Sequence, residues 1–156
     1  MSRSIIGLDK EASLKLTEQL NSLLANYQVF YMNVRGFHWN IKGADFFQLH
    51  TKFEELYNDA LVKIDEIAER VLTLGSTPLH SYSNYLSTTK ITEQTGVTDG
   101  NEALSAIITS YQVLLEIERS ILVGAQDLND EGTITLISDY IAQQEKEIWM
   151  FNSYLS

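Results

Sequence analysis

Between Phe37 and Arg70 the chain reads FHWNIKGADFFQLHTKFEELYNDALVKIDEIAER, and five of its side chains, His38, His50, Glu54, Asp65 and Glu69, can ligate a metal ion. Histidine and aspartate are weak helix formers, yet the segment otherwise has the spacing of a good amphipathic helix. Their presence there calls for a chemical reason. Imidazole nitrogen combined with carboxylate oxygen suits iron, manganese or zinc. The chain has no cysteine, so a thiolate site and a disulfide scaffold are both excluded.

On a helical wheel with His50 at the origin, Glu54 falls at about 40°, Asp65 at about 60° and Glu69 at about 100°. Leu49, Phe53, Tyr57, Ala60, Ile64, Ile67 and Val71 form a separate core stripe. Lys52, Glu55, Asp59, Lys63, Glu66 and Arg70 read as an open polar face. Phe47, Leu61 and Leu72 share the side of the four candidate ligands, and a face that mixes exposed apolar groups with ionisable ones reads as an interface. The pairs His50/Glu54 and Asp65/Glu69 are centred 15 residues apart, which is ~22 Å along a helix axis. Metal–ligand bonds are ~2.0–2.2 Å, so one ion cannot touch both pairs of a single helix. An identical helix packed antiparallel across a two-fold axis near Asp59 and Ala60 would set His50 and Glu54 of one subunit against Asp65 and Glu69 of the other, giving two equivalent sites. His38, twelve residues before His50, supplies a second nitrogen across a tight turn. Two imidazoles with one to three carboxylates is a set that non-haem ferrous iron favours. A di-iron site within one subunit needs Glu-x-x-His motifs. The positions three before His38, His50 and His80 are Arg35, Phe47 and Thr77, so that site is absent.

Four long helices must carry these residues. Leu16, Leu20, Leu23, Leu24, Tyr27, Phe30, Tyr31 and Val34 recur at three- and four-residue intervals and predict the first, closed by Gly36 and the turn ending at Gly43. The second runs from Phe46 to a C-cap at Gly75, with Pro78 shortly after. Asp99 and Glu102 form a capping box for the third, which Gly124 and the sequence DLNDEG finish. The fourth spans Thr133 to Tyr154. Two short loops flank one connector of roughly 25 residues, long enough to travel the length of a helix and make helices two and three parallel. The expected fold is all-α: a ferritin-like four-helix bundle with one long crossover, in which SYSNYLSTT makes a short extra helix, and residues 1–156 are one domain.

Composition narrows the partners. With 11 basic and 21 acidic residues the formal charge is -10, which repels nucleic-acid phosphates and anionic lipids and favours cations. No apolar run has the length of a bilayer span, and the N-terminus has no continuous apolar stretch of the signal-peptide kind. A cytoplasmic location is expected, with no membrane partner. Glu55, Asp59 and Glu66 read as solvated, Glu118 as a buried partner of an Arg or Lys, Trp39 and Trp149 as packing residues, and His80 as a surface residue of the connector.

His38-Trp39-Asn40, His50, Glu54 and the run IDEIAER carrying Asp65 and Glu69 resemble the ferroxidase signature of the Dps mini-ferritins, the DNA-binding proteins from starved cells. The likeness extends over nearly the whole chain, to KEIWMFNSYL at 146–155. It implies a hollow homododecamer that binds ferrous iron between two-fold-related subunits, oxidises it with hydrogen peroxide in preference to dioxygen, and stores ferric mineral as protection against oxidative stress. It also implies that His38, His50 and Glu54 come from one subunit and Asp65 and Glu69 from its mate. Glu54 is commonly Asp in that family. Thr135 stands where the loop before the last helix usually carries an acid of the entry pore, with Asp127, Asp130 and Glu131 nearby as substitutes. Members that bind DNA often do so through lysine-rich tails. Here the N-terminal arm has only Arg3 and Lys10 beside Asp9 and Glu11, and the chain stops at Ser156, so DNA binding is not expected. The alternatives are a nucleoid-compacting DNA binder and a purely structural helical assembly whose ligands are interface polar groups.

Overall fold

Five helices make up the fold: α1 (Lys10–Asn40), α2 (Phe46–Thr73), the short α3 (Tyr82–Thr88), α4 (Gly100–Leu128) and α5 (Glu131–Leu155). They come from a computed structural model that describes residues 2–156. Side-chain oxygens of Asp9, Ser81, Asp99 and Asp130 cap α1, α3, α4 and α5 by accepting from backbone N–H groups three residues on, which satisfies donors that a helix start leaves unpaired. The Asp99 cap and the extra helix α3 lie where the sequence puts them.

Ring contacts fix the helix directions. His38 stacks on His50 and Tyr31 meets Tyr57 edge-on, so α1 and α2 are antiparallel. Phe30 stacks on Tyr111, and Tyr27 donates to Glu118, so α1 and α4 are antiparallel too. Helices α2 and α4 are therefore parallel, as the long connector requires. Three asparagines of α1 strap that connector to the bundle. Asn21 binds Thr77 and Leu79, buried Asn26 Oδ1 accepts from the backbone of Lys90 and Ile91, and Asn33 holds Thr92 and Gln94. Each side-chain amide, half-buried at Asn21 and buried at Asn26 and Asn33, thus satisfies crossover backbone that has no ladder of its own.

Two glycines do not end helices as the sequence suggests. Helix α1 continues through Gly36 to Asn40. A helical glycine costs about 1 kcal/mol against alanine, and burial of Phe37 and Ile41 outweighs it. Gly43, at φ +113°, makes the turn instead. Helix α4 likewise passes Gly124 and ends at left-handed Asn129. A Cβ at Gly124 would lie 3.3 Å from both Leu16 and Gln19, so this glycine serves the close approach of α4 to α1.

Part of the open polar face of α2 is a seam against α5, although Glu55 and Glu66 stay exposed. Lys63 is 3% exposed, pairs with Asp59 and donates to Gln143 at 2.7 Å. Tyr140 donates to Glu66 at 2.9 Å, and Arg70 binds Asp130 at 2.6 Å and Thr133 at 2.9 Å. Asp130 is thereby buried as both an ion-pair partner and a cap, and Thr135 lies within α5, inside the span that the sequence gives to the fourth helix. Glu118 is fully buried without the basic partner expected of it. Its Oε2 accepts from Tyr27 at 2.7 Å and Gln144 at 3.3 Å, and its Oε1 has no partner. Trp39 and Trp149 are 57% and 65% exposed, so neither packs into this chain's core.

Candidate metal centre

The α1–α2 turn lays the last residues of α1 against the first turns of α2, because Phe37 and Phe53 meet in the core just behind it. That places the two imidazoles face to face, 3.8 Å between centroids and 12° from parallel. His38 Nδ1 lies 2.7 Å from the carbonyl oxygen of His50, and His50 Nδ1 lies 2.7 Å from that of His38. A carbonyl oxygen only accepts, so each Nδ1 carries a hydrogen and donates. In the neutral rings both Nε2 lone pairs are left free, the arrangement by which proteins fix the tautomer of a metal-binding histidine. Phe46 closes the stack, its ring 4.8 Å from that of His50.

Glu54 stands one turn beyond His50, half exposed, with Oε1 3.8 Å from His38 Nε2. That is too long for a hydrogen bond. It suits two bonds of ~2.0–2.2 Å meeting at a wide angle on one ion. The donor set fits a hard divalent metal with nitrogen tolerance.

Asp65 and Glu69 lie exposed near the other end of α2. Asp65 holds the Glu69 carboxyl above its ordinary range, first through their hydrogen bond and then through like charge. A neighbouring carboxylate disfavours the charged form of Glu69, by like charge and by a hydrogen bond that needs its proton. The chain therefore stacks His38 on His50, sets Glu54 beside His38, joins Asp65 to Glu69, and leaves the two sets apart. Among the described residues no group of three or more potential ligands closes on a single point. Phe47 (80% exposed), Leu61 and Leu72 stand uncovered along the same side of α2. His80 is exposed in the crossover and bonded only to Pro78.

Sequence reading missed three neighbours of the site. Tyr57 meets the His38 ring edge-on at 5.2 Å, Phe46 covers His50, and Arg35 lies over Tyr57 at 5.7 Å. Phe46 and Tyr57 stand four before and seven after His50, spacings that place them on one helix side.

Comparison with known proteins agrees with this architecture. Residues 17–156 match the model of the ferritin-like domain family. The chain is 52% identical to an uncharacterised protein of Haemophilus influenzae over 98% of its own length and 96% of the relative's. It is 38% identical to a DNA protection during starvation protein of Porphyromonas gingivalis, over 96% and 94%. It superposes on a Dps protein from Vibrio cholerae with a TM-score of 0.98 and 52% identity, covering 100% of this chain and 98% of that one. With the crossover, the short extra helix and likeness over nearly its whole length, the chain belongs to the Dps branch of the ferritin-like family.

Proposed function

We propose that this chain is the subunit of a cytoplasmic ferroxidase and iron store, a homododecamer that oxidises Fe(II) at two-fold interfaces and protects against oxidative stress. The observation that carries the reading is the pair of braced imidazoles presenting free Nε2 atoms beside Glu54, with Asp65 and Glu69 on the same helix side but beyond reach. The Vibrio relative is described as one of the ferritin-like diiron-carboxylate proteins, which supports iron as the substrate metal. His38, His50 and Glu54 bind Fe(II) from one subunit. Asp65 and Glu69 approach from the mate once Phe47, Leu61 and Leu72 are covered.

Carboxylate oxygens favour Fe(III) over Fe(II) because hard anions stabilise the higher charge, so the acids make electron loss easier. Peroxide is reduced by two irons together: two Fe(II), one hydrogen peroxide and two protons give two Fe(III) and two water molecules. That pairing releases no hydroxyl radical. The Nδ1–H bonds hold the imidazoles in place as the iron changes charge.

Following ferric absorbance after peroxide addition to Fe(II)-loaded protein tests the reading. His50→Ala is expected to slow oxidation by roughly tenfold or more while leaving the assembly intact, and His80→Ala to leave the rate alone. The reverse pattern would move the site elsewhere. No iron uptake at all would leave a structural assembly.

The starvation-protein relatives carry DNA in their name, and charge argues against that role here. Arg3, one of the two bases of the N-terminal arm, donates to its own Gly7 carbonyl at 2.7 Å, and the subunit carries -10. Duplex DNA is expected to migrate unretarded in gel shifts at physiological salt. A tight complex that weakens with salt would restore the DNA-binding reading.

A further inference from the structure

Arg35 is the least explained cation of the fold. In a chain with 21 acidic residues it makes no ion pair with any carboxylate among the described residues. Its guanidinium lies instead among three rings, 4.9 Å from Trp39, 5.7 Å from Tyr57 and 5.8 Å from Tyr31. Its Nη1 donates to the Tyr31 hydroxyl at 3.0 Å, and its Nε is buried without a partner. Tyr57 is the ring that touches His38. The cage thus begins one ring away from the candidate iron site.

A cation on an aromatic face is attracted by the electron density of the ring. Removing an electron reverses that attraction, because the ring then becomes a second positive charge beside the first. Tyrosine oxidation also requires a base to take the phenolic proton, and the group bonded to Tyr31 is a donor.

We propose that Arg35 is an electrostatic shield which raises the cost of one-electron oxidation of Trp39, Tyr57 and Tyr31, and so keeps oxidising equivalents formed at the iron site from damaging the wall of that site. The inference rests on the proposed ferroxidase only for the source of oxidant. When one Fe(II) meets peroxide alone, it yields Fe(III), hydroxide and hydroxyl radical. The radical takes one electron from an indole or phenol, becoming hydroxide and leaving a ring radical cation, which then loses a proton that turns the hydroxide into water.

The test uses Arg35→Met, which keeps bulk without charge, and Arg35→Lys, which keeps charge with less cover. Metal-free full-length protein is exposed to azide radicals from pulse radiolysis. This oxidant is uncharged and takes one electron from indole, giving azide and a proton. Oxidised Trp39 is then counted against oxidised Trp149 by peptide mass spectrometry. Arg35→Met is expected to raise the Trp39 to Trp149 ratio by about tenfold, and Arg35→Lys to hold it near the parent value. An unchanged ratio in Arg35→Met overturns the shield. An equal rise in both variants overturns it as well, because cover rather than charge would then be the protection. Iron and peroxide given to the parent form a separate arm. If that protein oxidises no iron, the ferroxidase reading falls, while the azide result still decides the role of Arg35.

Discussion

Two inactive variants, one lacking His38 and His50 and the other lacking Asp65 and Glu69, are expected to recover iron oxidation when dissociated and refolded together. The separation of ~22 Å along α2 leaves no geometry in which one ion reaches both sets within a chain. In a mixed two-fold pair, one site takes its histidines from the second variant and its acids from the first, and is complete. The other site inherits both defects. Equal mixing makes half of the pairs mixed, with one complete site of two, so the rate returns to about one quarter of the parent's. A site contained within one subunit recovers nothing, because every subunit is defective. Mixtures shown to co-assemble, by tagging one variant, and still inactive would end the intersubunit mechanism.

Replacing Glu118 by glutamine is expected to stabilise the protein at pH 8 and to flatten its stability between pH 5 and pH 8. Burial among Tyr27, Gln144 and the apolar core pushes the Glu118 carboxyl up to about 7 from 4.5, against the hydrogen bonds from Tyr27 and Gln144 that pull it down. Between those values the folded state holds a proton that the unfolded chain releases. Unfolding free energy therefore falls as pH rises from 4.5 to 7, and the loss is complete above 7. The difference corresponds to about 3 kcal/mol. Glutamine keeps an acceptor for Tyr27 and adds amide hydrogens where the Oε1 atoms of Glu118 and Gln144 both lack a donor. Glu147, also raised by burial, leaves a residual slope in the variant. Denaturant unfolding at one fixed protein concentration reads the effect, since assembly makes stability concentration-dependent. A variant that is less stable than the parent at pH 8 would contradict the buried-charge account.

Four long helices, the crossover with its short helix and the Asp99 cap were legible because periodicity and capping are local properties, fixed by residues within a few turns of one another. The split of the ligands into two distant pairs was equally local, since helical rise converts spacing directly into length. Three-dimensional contact decided the rest. Gly36 and Gly124 continue their helices because burial of Phe37 and the approach of Leu16 outweigh the cost of glycine. Lys63, Glu118 and Asp130 are buried through partners 80, 91 and 60 residues away, and no window of sequence contains such a pair. The tautomers of His38 and His50 depend on two carbonyls that meet only when α1 and α2 pack. Helix periodicity places a side chain on a face, but only the folded packing determines which donor or charge that face meets.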